Sequence, residues 1–586
     1  MEYTCPIKGY TIYLNLEKDN LLDEAAKKTI KDRYSRQNET SPQQSFARAS
    51  CAFADNAEHA QRLYNYVSNL WFMFASPLLS NGGTNAGLPI SCFLNKTSDD
   101  IVGIIENHKE NAHLSVLGGG VGTDWSSVRS IDTPVRRGGK TPGIIPFLKV
   151  VDAQMEAFQQ GSTRRGSAAI YLDISHPEIE EFIDIRDPVG GDSLRRCLNK
   201  GFHHGVNIPD EFMECVENNQ NWNLIDPHTK EIKKTIPARE LWSKLLKARV
   251  EKGEPFIHYS TTSNNALPEE LKDKGLRING SNLCSEIYLP TSPDRTAVCC
   301  LSSVNLETFD AWEGNMEQFI EDLLRMLDNA LSVFIEKAPP ELWRAKNSAS
   351  SERSVGLGAM GFHSYLQKHE IAFESKTATD LNIWLFDRIK RAADRANLIL
   401  GKERGEAPDM QGTGKRFAHT MAIAPNATSS IICGNTSPSI EPFEANTYSQ
   451  DTLSGTLTNR NPHLSRVLER HLKDNKVVWN SIDTHQGSVQ HLDFLTPNEK
   501  MVFKTAREID QEWLIKHSAD RQKFIDQGQS VNLFVAPDIK FSQLHKLHKM
   551  AWENGLKGLY YCRSGSIGEM KKEEQDVIES CVMCEG

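Results

Sequence analysis

A thiol, a carboxylate and an amide share one five-residue stretch, Asn282-Leu283-Cys284-Ser285-Glu286. On an extended chain, residues i and i+2 point to the same side. Asn282, Cys284 and Glu286 would then face one ligand with a hydrogen-bonding amide, a sulfur and an acid–base group. An isolated cysteine more often packs as a small hydrophobe. The rest of the sequence has to decide between these readings.

Other segments offer chemistry of their own. Cys581 and Cys584 form the sequence's CxxC, at the very end of the chain. Zinc would need a second clustered pair, and none lies nearby. Gly118-Gly119-Gly120-Val121-Gly122 invites a dinucleotide reading, but Trp125 stands where the third glycine belongs. Gly139-Lys140-Thr141 invites a P-loop, but Pro134 replaces its first glycine. Both named motifs fail. Two basic, glycine-rich loops remain, 135–140 and 161–166. Paired arginines beside glycines suit a triphosphate, because guanidinium binds phosphate oxygens bidentately. Thr428-Ser429-Ser430 is a third anion candidate, since hydroxyls and free N–H groups at a helix start can cradle phosphate.

These residues must be held by a large α/β framework. Short strand-like runs occur at Ala168–Leu172, Met421–Ala424, Val531–Val535 and Gly558–Cys562. Long amphipathic helices are expected over Met316–Lys337 and over Thr377–Leu400, the latter ending near Gly401. Strands separated by long helices indicate much parallel pairing. The first 75 residues read as mainly helical, with helices over Leu21–Tyr34 and Ala57–Phe74. The bulk, 76–565, reads as one catalytic domain, and 566–586 as a mobile tail with the charged run Lys571-Lys572-Glu573-Glu574-Gln575-Asp576. The net charge of −10 argues against bulk nucleic-acid binding. The apolar run Leu70–Ala75 is too short to span a bilayer, and the N-terminus lacks a secretory pattern. Twelve scattered cysteines in 586 residues suit a reducing cytoplasm.

The motifs also occur in a specific order. Ser76-Pro77-Leu78-Leu79-Ser80 comes first, then Ser91-Cys92, then Asn282 to Glu286. Cys299 with Leu301-Ser302-Ser303-Val304-Asn305 follows, then Pro425 to Ser430, then Tyr560-Tyr561, and finally Cys581 and Cys584. From about Ser76 onward the chain resembles the catalytic (α, large) subunit of a class I ribonucleotide reductase. The resemblance implies a ten-stranded α/β barrel of two antiparallel five-stranded halves, with a finger loop through its centre. It implies reduction of ribonucleotides, most naturally diphosphates, by thiyl-radical chemistry.

The same resemblance implies a role for each residue. Cys284 would carry the thiyl radical and abstract the 3′ hydrogen. Glu286 would act as general base, and Asn282 would orient the sugar. Cys92 and Cys299 would supply the electrons and become a disulfide. Cys300 would point the other way on an extended strand. Cys581 and Cys584 would re-reduce the pair and meet a thioredoxin- or glutaredoxin-like reductant. Tyr560 and Tyr561 would pass the radical from a metallocofactor held by a separate β subunit, with no metal in this chain. Ser76, Ser91, Thr428, Ser429 and Ser430 match substrate contacts. Asp99, Arg129 and Arg136 match contacts to an ATP or deoxynucleoside-triphosphate effector. The 161–166 loop would relay effector identity, with Arg164 and Arg165 both open for that contact. An effector-bound homodimer is the family expectation. Many members begin with a domain that binds ATP or dATP. The 75 residues before Ser76 show no sign of it, so specificity regulation without a dATP off-switch is expected. The rival readings are an adenosylcobalamin-dependent reductase of the same fold and a non-catalytic nucleotide-binding relative.

Overall fold

The protein is described by a computed structural model covering residues 1–136, 138–158, 166–188, 192–452 and 455–565. Five strands start the core: β1 (Cys92–Lys96), β2 (Gly120–Asp124), β3 (Ala168–Asp173), β4 (Phe202–Ile208) and β5 (Phe256–Tyr259). They pair in sequence order and all run parallel. Almost every residue in them is buried, as strands covered on both faces require. Helices Ile101–Val116, Ile145–Ala157 and Ala238–Lys252 lie on the crossovers between them.

The direction then reverses. β6 (Ala297–Asn305) lies antiparallel to β1, and β7 (Val355–Met360) lies parallel to β6. Beyond β7 the ladder thins to single bridges, Leu357 with Met421 and Ile423 with Gln529, both parallel. Leu533–Phe534 runs parallel to Cys562–Arg563, and Gly558–Leu559 joins β5 antiparallel. The pairings close a ring: five parallel strands form one half and five segments the other. The halves meet antiparallel at two seams, one between β1 and β6 and one between β5 and Gly558–Leu559. This is the barrel implied by the sequence resemblance.

Helices Glu24–Arg33, Pro42–Phe53 and Ala57–Ser68 precede the barrel. Ile30, Phe46 and Leu63 from these helices share one continuous apolar core with barrel residues such as Val121 and Val304. Helix Met316–Lys337 has the bounds read from the sequence.

Three expectations need correction. The helix expected over Ala57–Phe74 stops at Ser68. Leu70 turns the chain at φ +59°, and Phe72–Phe74 become a strand against Ser302–Val304. A waiting strand partner overrides helical spacing in an aromatic run. The second long helix runs past Gly401 to Arg404. Gly401 is a packing position, since a Cβ there would overlap the Gly414 carbonyl oxygen. Met421–Ala424 contributes isolated bridges rather than a continuous strand.

Candidate active site

The segment joining the two half-barrels carries Asn282, Cys284 and Glu286 through the ring. Residues Ser281 to Leu289 are almost wholly buried. The first half-barrel holds this finger loop through Tyr171 Oη, which donates to the Asn282 carbonyl at 3.1 Å. Asn207 Nδ2 donates to the Asn279 carbonyl at 2.9 Å. The second half holds it through the Gly528 N–H, which donates to the Glu286 carbonyl at 2.9 Å, and through the Ser530 hydroxyl, which donates to the Cys284 carbonyl. Gly122 of β2 makes room for the passage. A Cβ there would overlap the Ser281 carbonyl oxygen. That accounts for one glycine of the failed dinucleotide motif.

The loop is not extended at its tip. The Ser285 N–H donates to the Asn282 carbonyl at 3.3 Å, and Ser285 sits at φ +61°. A tight turn therefore replaces the i, i+2 alternation expected from the sequence. Asn282 Oδ1 accepts from the backbone N–H groups of Glu286 and Ile287, each at 3.1 Å. This bond folds the carboxylate back beside the amide. No well-formed hydrogen bond reaches Asn282 Nδ2 or Glu286 Oε1, although both atoms are buried. Buried polar atoms left this way mark a place for a polar ligand. Burial pushes the Glu286 carboxyl up to about 8, against the opposing pull of the Asn282 amide, its own N–H and the Ser530 hydroxyl. A carboxyl poised near neutrality suits proton transfer.

Cys92 and Cys299 stand directly opposite each other across the seam between β1 and β6. Facing residues of an antiparallel pair have Cα atoms about 4.5–5.5 Å apart, which is within disulfide reach. Both are buried, and neither is joined in a disulfide here. Cys300 pairs instead with Val355 of β7, on the other side of β6. Burial pushes the thiols of Cys299 and Cys300 upward. Gln527 Nε2 lies 3.5 Å from Cys299 Sγ.

Tyr560 and Tyr561 fall in the gap between Gly558–Leu559 and Cys562–Arg563. Regular alternation would send their rings to opposite faces. Here the ring centroids are 4.3 Å apart, and Phe256 packs against both rings. Tyr561 Oη lies 3.3 Å from His203 Nδ1, and Glu254 holds that imidazole at 2.6 Å.

The hydroxyl cluster opens the short helix Ala427–Ile432. Arg33 Nη1 donates to Thr428 Oγ1 at 3.3 Å, and Tyr34 Oη meets Ser76 Oγ at 2.8 Å. Ser430 Oγ donates to the Ala427 carbonyl. Ser91 Oγ is 3.9 Å from Cys92 Sγ. Asp99 accepts from Arg129 Nε at 2.9 Å and from the Arg129 N–H at 3.0 Å, with His228 Nδ1 at 2.8 Å. Arg136 is exposed in the following loop. Arg164, Arg165 and the tail segment with Cys581 and Cys584 lie outside the described residues.

Sequence reasoning missed Gln527, Ser530, Arg33, His203 and Glu254. No local pattern marks them. Gln527 and Ser530 flank Gly528-Gln529 in a segment whose role emerges only when the barrel closes on the finger loop.

The fold that holds these residues is matched in known proteins. The profile of the ribonucleotide reductase barrel domain matches residues 90–414 and 407–562. The profile of the ribonucleotide reductase all-alpha domain matches residues 20–87. The chain belongs to the ribonucleotide reductase large-subunit family. It is 46% identical over 640 aligned positions to the ribonucleoside-diphosphate reductase large subunit of Invertebrate iridescent virus 3, covering 98% of this chain and 100% of that protein. The large subunit of Invertebrate iridescent virus 6 is 31% identical, with 96% and 94% covered. The solved structure of the Actinobacillus ureae class Id ribonucleotide reductase alpha subunit aligns at a TM-score of 0.83 and 34% identity, over 93% of this chain and 98% of that one.

Proposed function

We propose that this chain reduces ribonucleoside diphosphates to 2′-deoxyribonucleoside diphosphates, with a thiyl radical on Cys284. The thiyl sulfur takes the 3′ hydrogen atom of the ribose, so that an S–H bond forms and a C–H bond breaks. Glu286 takes the 3′-hydroxyl proton. Cys92 supplies the proton with which the 2′-hydroxyl leaves as water. Cys92 and Cys299 together give two electrons and end as a disulfide. Cys284 returns its hydrogen to C3′ and regenerates the radical. The sum is one ribonucleotide and two thiols giving one deoxyribonucleotide, one disulfide and water. The observation that carries this reading is the turn at 282–285, which holds the buried Glu286 carboxyl beside Asn282 on the loop that bears Cys284.

The radical comes from a separate small subunit, as in the class I family. Tyr560 and Tyr561 are its relay in our reading, supported by ring centroids 4.3 Å apart and near-complete burial. The substrate phosphates take Thr428, Ser429 and Ser430, with Ser76 and Ser91 contributing. Arg33 supports this by bringing a guanidinium to Thr428. The nucleotide effector takes Asp99, Arg129 and Arg136, with Arg164 or Arg165 relaying its identity. Ile101, Val102 and Ile105 expose large apolar side chains on the helix that begins beside Asp99. They support an effector-linked homodimer. Cys581 and Cys584 shuttle electrons from a thioredoxin- or glutaredoxin-like dithiol.

The test mixes the full chain with candidate radical-bearing small subunits, a ribonucleoside diphosphate, a deoxynucleoside triphosphate and a dithiol. Chromatography reads the deoxynucleotide. Product that requires both subunits supports the assignment. No product with any radical-bearing partner rejects it.

A further inference from the structure

The electron-donating pair has a neighbour that no part of the reaction above uses. Gln527 is fully buried at the barrel wall. Its backbone N–H donates to the Met421 carbonyl at 3.1 Å. Its side-chain Nε2 donates to the Val355 carbonyl at 3.0 Å and lies 3.5 Å from Cys299 Sγ. A carbonyl can only accept, so the Val355 contact fixes which end of the amide is NH₂. The second N–H of that group is therefore the one aimed at the sulfur. Strand β7 closes the other side, since a Cβ on Gly356 would stand 3.1 Å from Cys299 Sγ. The donor and the sulfur are held at fixed positions.

We propose that Gln527 makes Cys299 the sulfur that carries negative charge when the Cys92–Cys299 disulfide is opened, and so directs the incoming thiol to Cys92. This rests on the reading of Cys92 and Cys299 as the reducing pair. An attacking thiolate of a dithiol reductant bonds to Cys92 Sγ. The Cys92–Cys299 bond breaks, and its electron pair stays on Cys299 Sγ, where the Gln527 N–H meets it. Cys299 then takes a proton. The reductant's second thiol attacks the mixed disulfide and releases Cys92 as thiol. Exchange is faster when the leaving sulfur is the better anion. The surroundings otherwise oppose an anion at Cys299. Burial and the nearby Cys300, Glu286 and Glu352 push its thiol upward, and the Gln527 amide pulls the other way.

The experiment uses the full chain with Cys581→Ser and Cys584→Ser, oxidised by one turnover with its small subunit. Peptide mass spectrometry first reads whether Cys92 and Cys299 are joined. 2-Mercaptoethanol is then added, the reaction is quenched in acid, and the adduct is located. We expect the adduct on Cys92 with Cys299 free. In a further Gln527→Met variant, the adduct should divide between the two cysteines. Re-reduction by dithiothreitol should slow about tenfold, the worth of one hydrogen bond to a charged group. The product yield of a pre-reduced single turnover should stay the same, which a merely structural defect would not allow. An adduct on Cys299 in the protein with Gln527 intact overturns the proposal, whatever the variant does. An unchanged adduct distribution and rate in Gln527→Met overturn it as well. Cys92 and Cys299 still reduced after turnover would remove the underlying pair, and that result is read before any thiol is added.

Discussion

Replacing Glu286 by Gln should abolish the base and stabilise the protein, and the second effect should grow with pH. In the folded chain the carboxyl stays protonated until about pH 8, whereas an unfolded glutamate ionises near 4.5. Between those values the folded state binds the extra proton. Stability therefore falls as pH rises through this window. One pH unit is worth about 1.4 kcal/mol. The penalty is about 1.4 kcal/mol at pH 5.5, about 3.4 kcal/mol at pH 7 and about 4.7 kcal/mol at pH 9. Glutamine keeps the shape of the neutral acid and has no proton to lose. The stability difference, variant minus unmutated, should rise by about 3 kcal/mol from pH 5.5 to pH 9. Urea unfolding followed by tryptophan fluorescence at several pH values measures it, with Trp125 buried in the barrel core as one reporter. A difference that stays flat with pH would refute the account of a desolvated carboxyl. Product formation should fall about 10²- to 10⁴-fold in the same variant. In the unmutated enzyme, kcat/KM should fall about tenfold for each pH unit below the Glu286 value, because only the carboxylate can take the proton.

Cys284→Ser should abolish product without loss of fold; residual turnover would remove Cys284 from the radical step. Loss of both Cys581 and Cys584 should end multiple turnover yet spare one turnover by the pre-reduced Cys92–Cys299 pair, and failure of that single turnover would sink the shuttle. Gly122→Ala should cost about 1–3 kcal/mol through overpacking, and should lose far more activity, since its Cβ meets the Ser281 carbonyl and the Asn282 Cα; full activity would mean that the finger loop does not need its position. Asp99→Asn should weaken binding of a deoxynucleoside triphosphate and flatten its effect on which ribonucleotide is reduced, measured in mixed-substrate assays; unchanged selectivity would move the effector elsewhere.

The sequence makes some of this legible and hides the rest for physical reasons. Asn282, Cys284 and Glu286 are visible as a group because they are close in the chain. Their meeting through a turn is not, because it depends on the Asn282 side chain accepting two loop N–H groups. The helix Met316–Lys337 is legible to the residue because a long amphipathic pattern fixes its own state. Periodicity misreads the run at Phe72–Phe74 because its fate is set by β6, more than two hundred residues away. Gln527 carries no motif at all. Its amide matters only because Val355 and Cys299 are brought to it by barrel closure.

Barrel topology puts the two tyrosines and the Cys92–Cys299 pair at different seams. Eight of the ten neighbouring contacts around the ring are parallel, and only the two seams are antiparallel. Directly opposed residues come closest in an antiparallel pair, and Cys92 and Cys299 occupy such a pair at one seam. The other seam ends at Leu559, next to Tyr560 and Tyr561. The two seams lie across the ring from each other, with five strands between them in either direction. The finger loop leaves β5 at the tyrosine seam and enters β6 at the Cys92–Cys299 seam, with Cys284 on the path between them. In the proposed reaction the radical would reach Cys284 from the tyrosine seam and the electrons from the cysteine seam. On β2 the residue facing Cys92 is Gly120, and two residues further on the finger loop fills the space at Gly122, where a Cβ would overlap the Ser281 carbonyl oxygen.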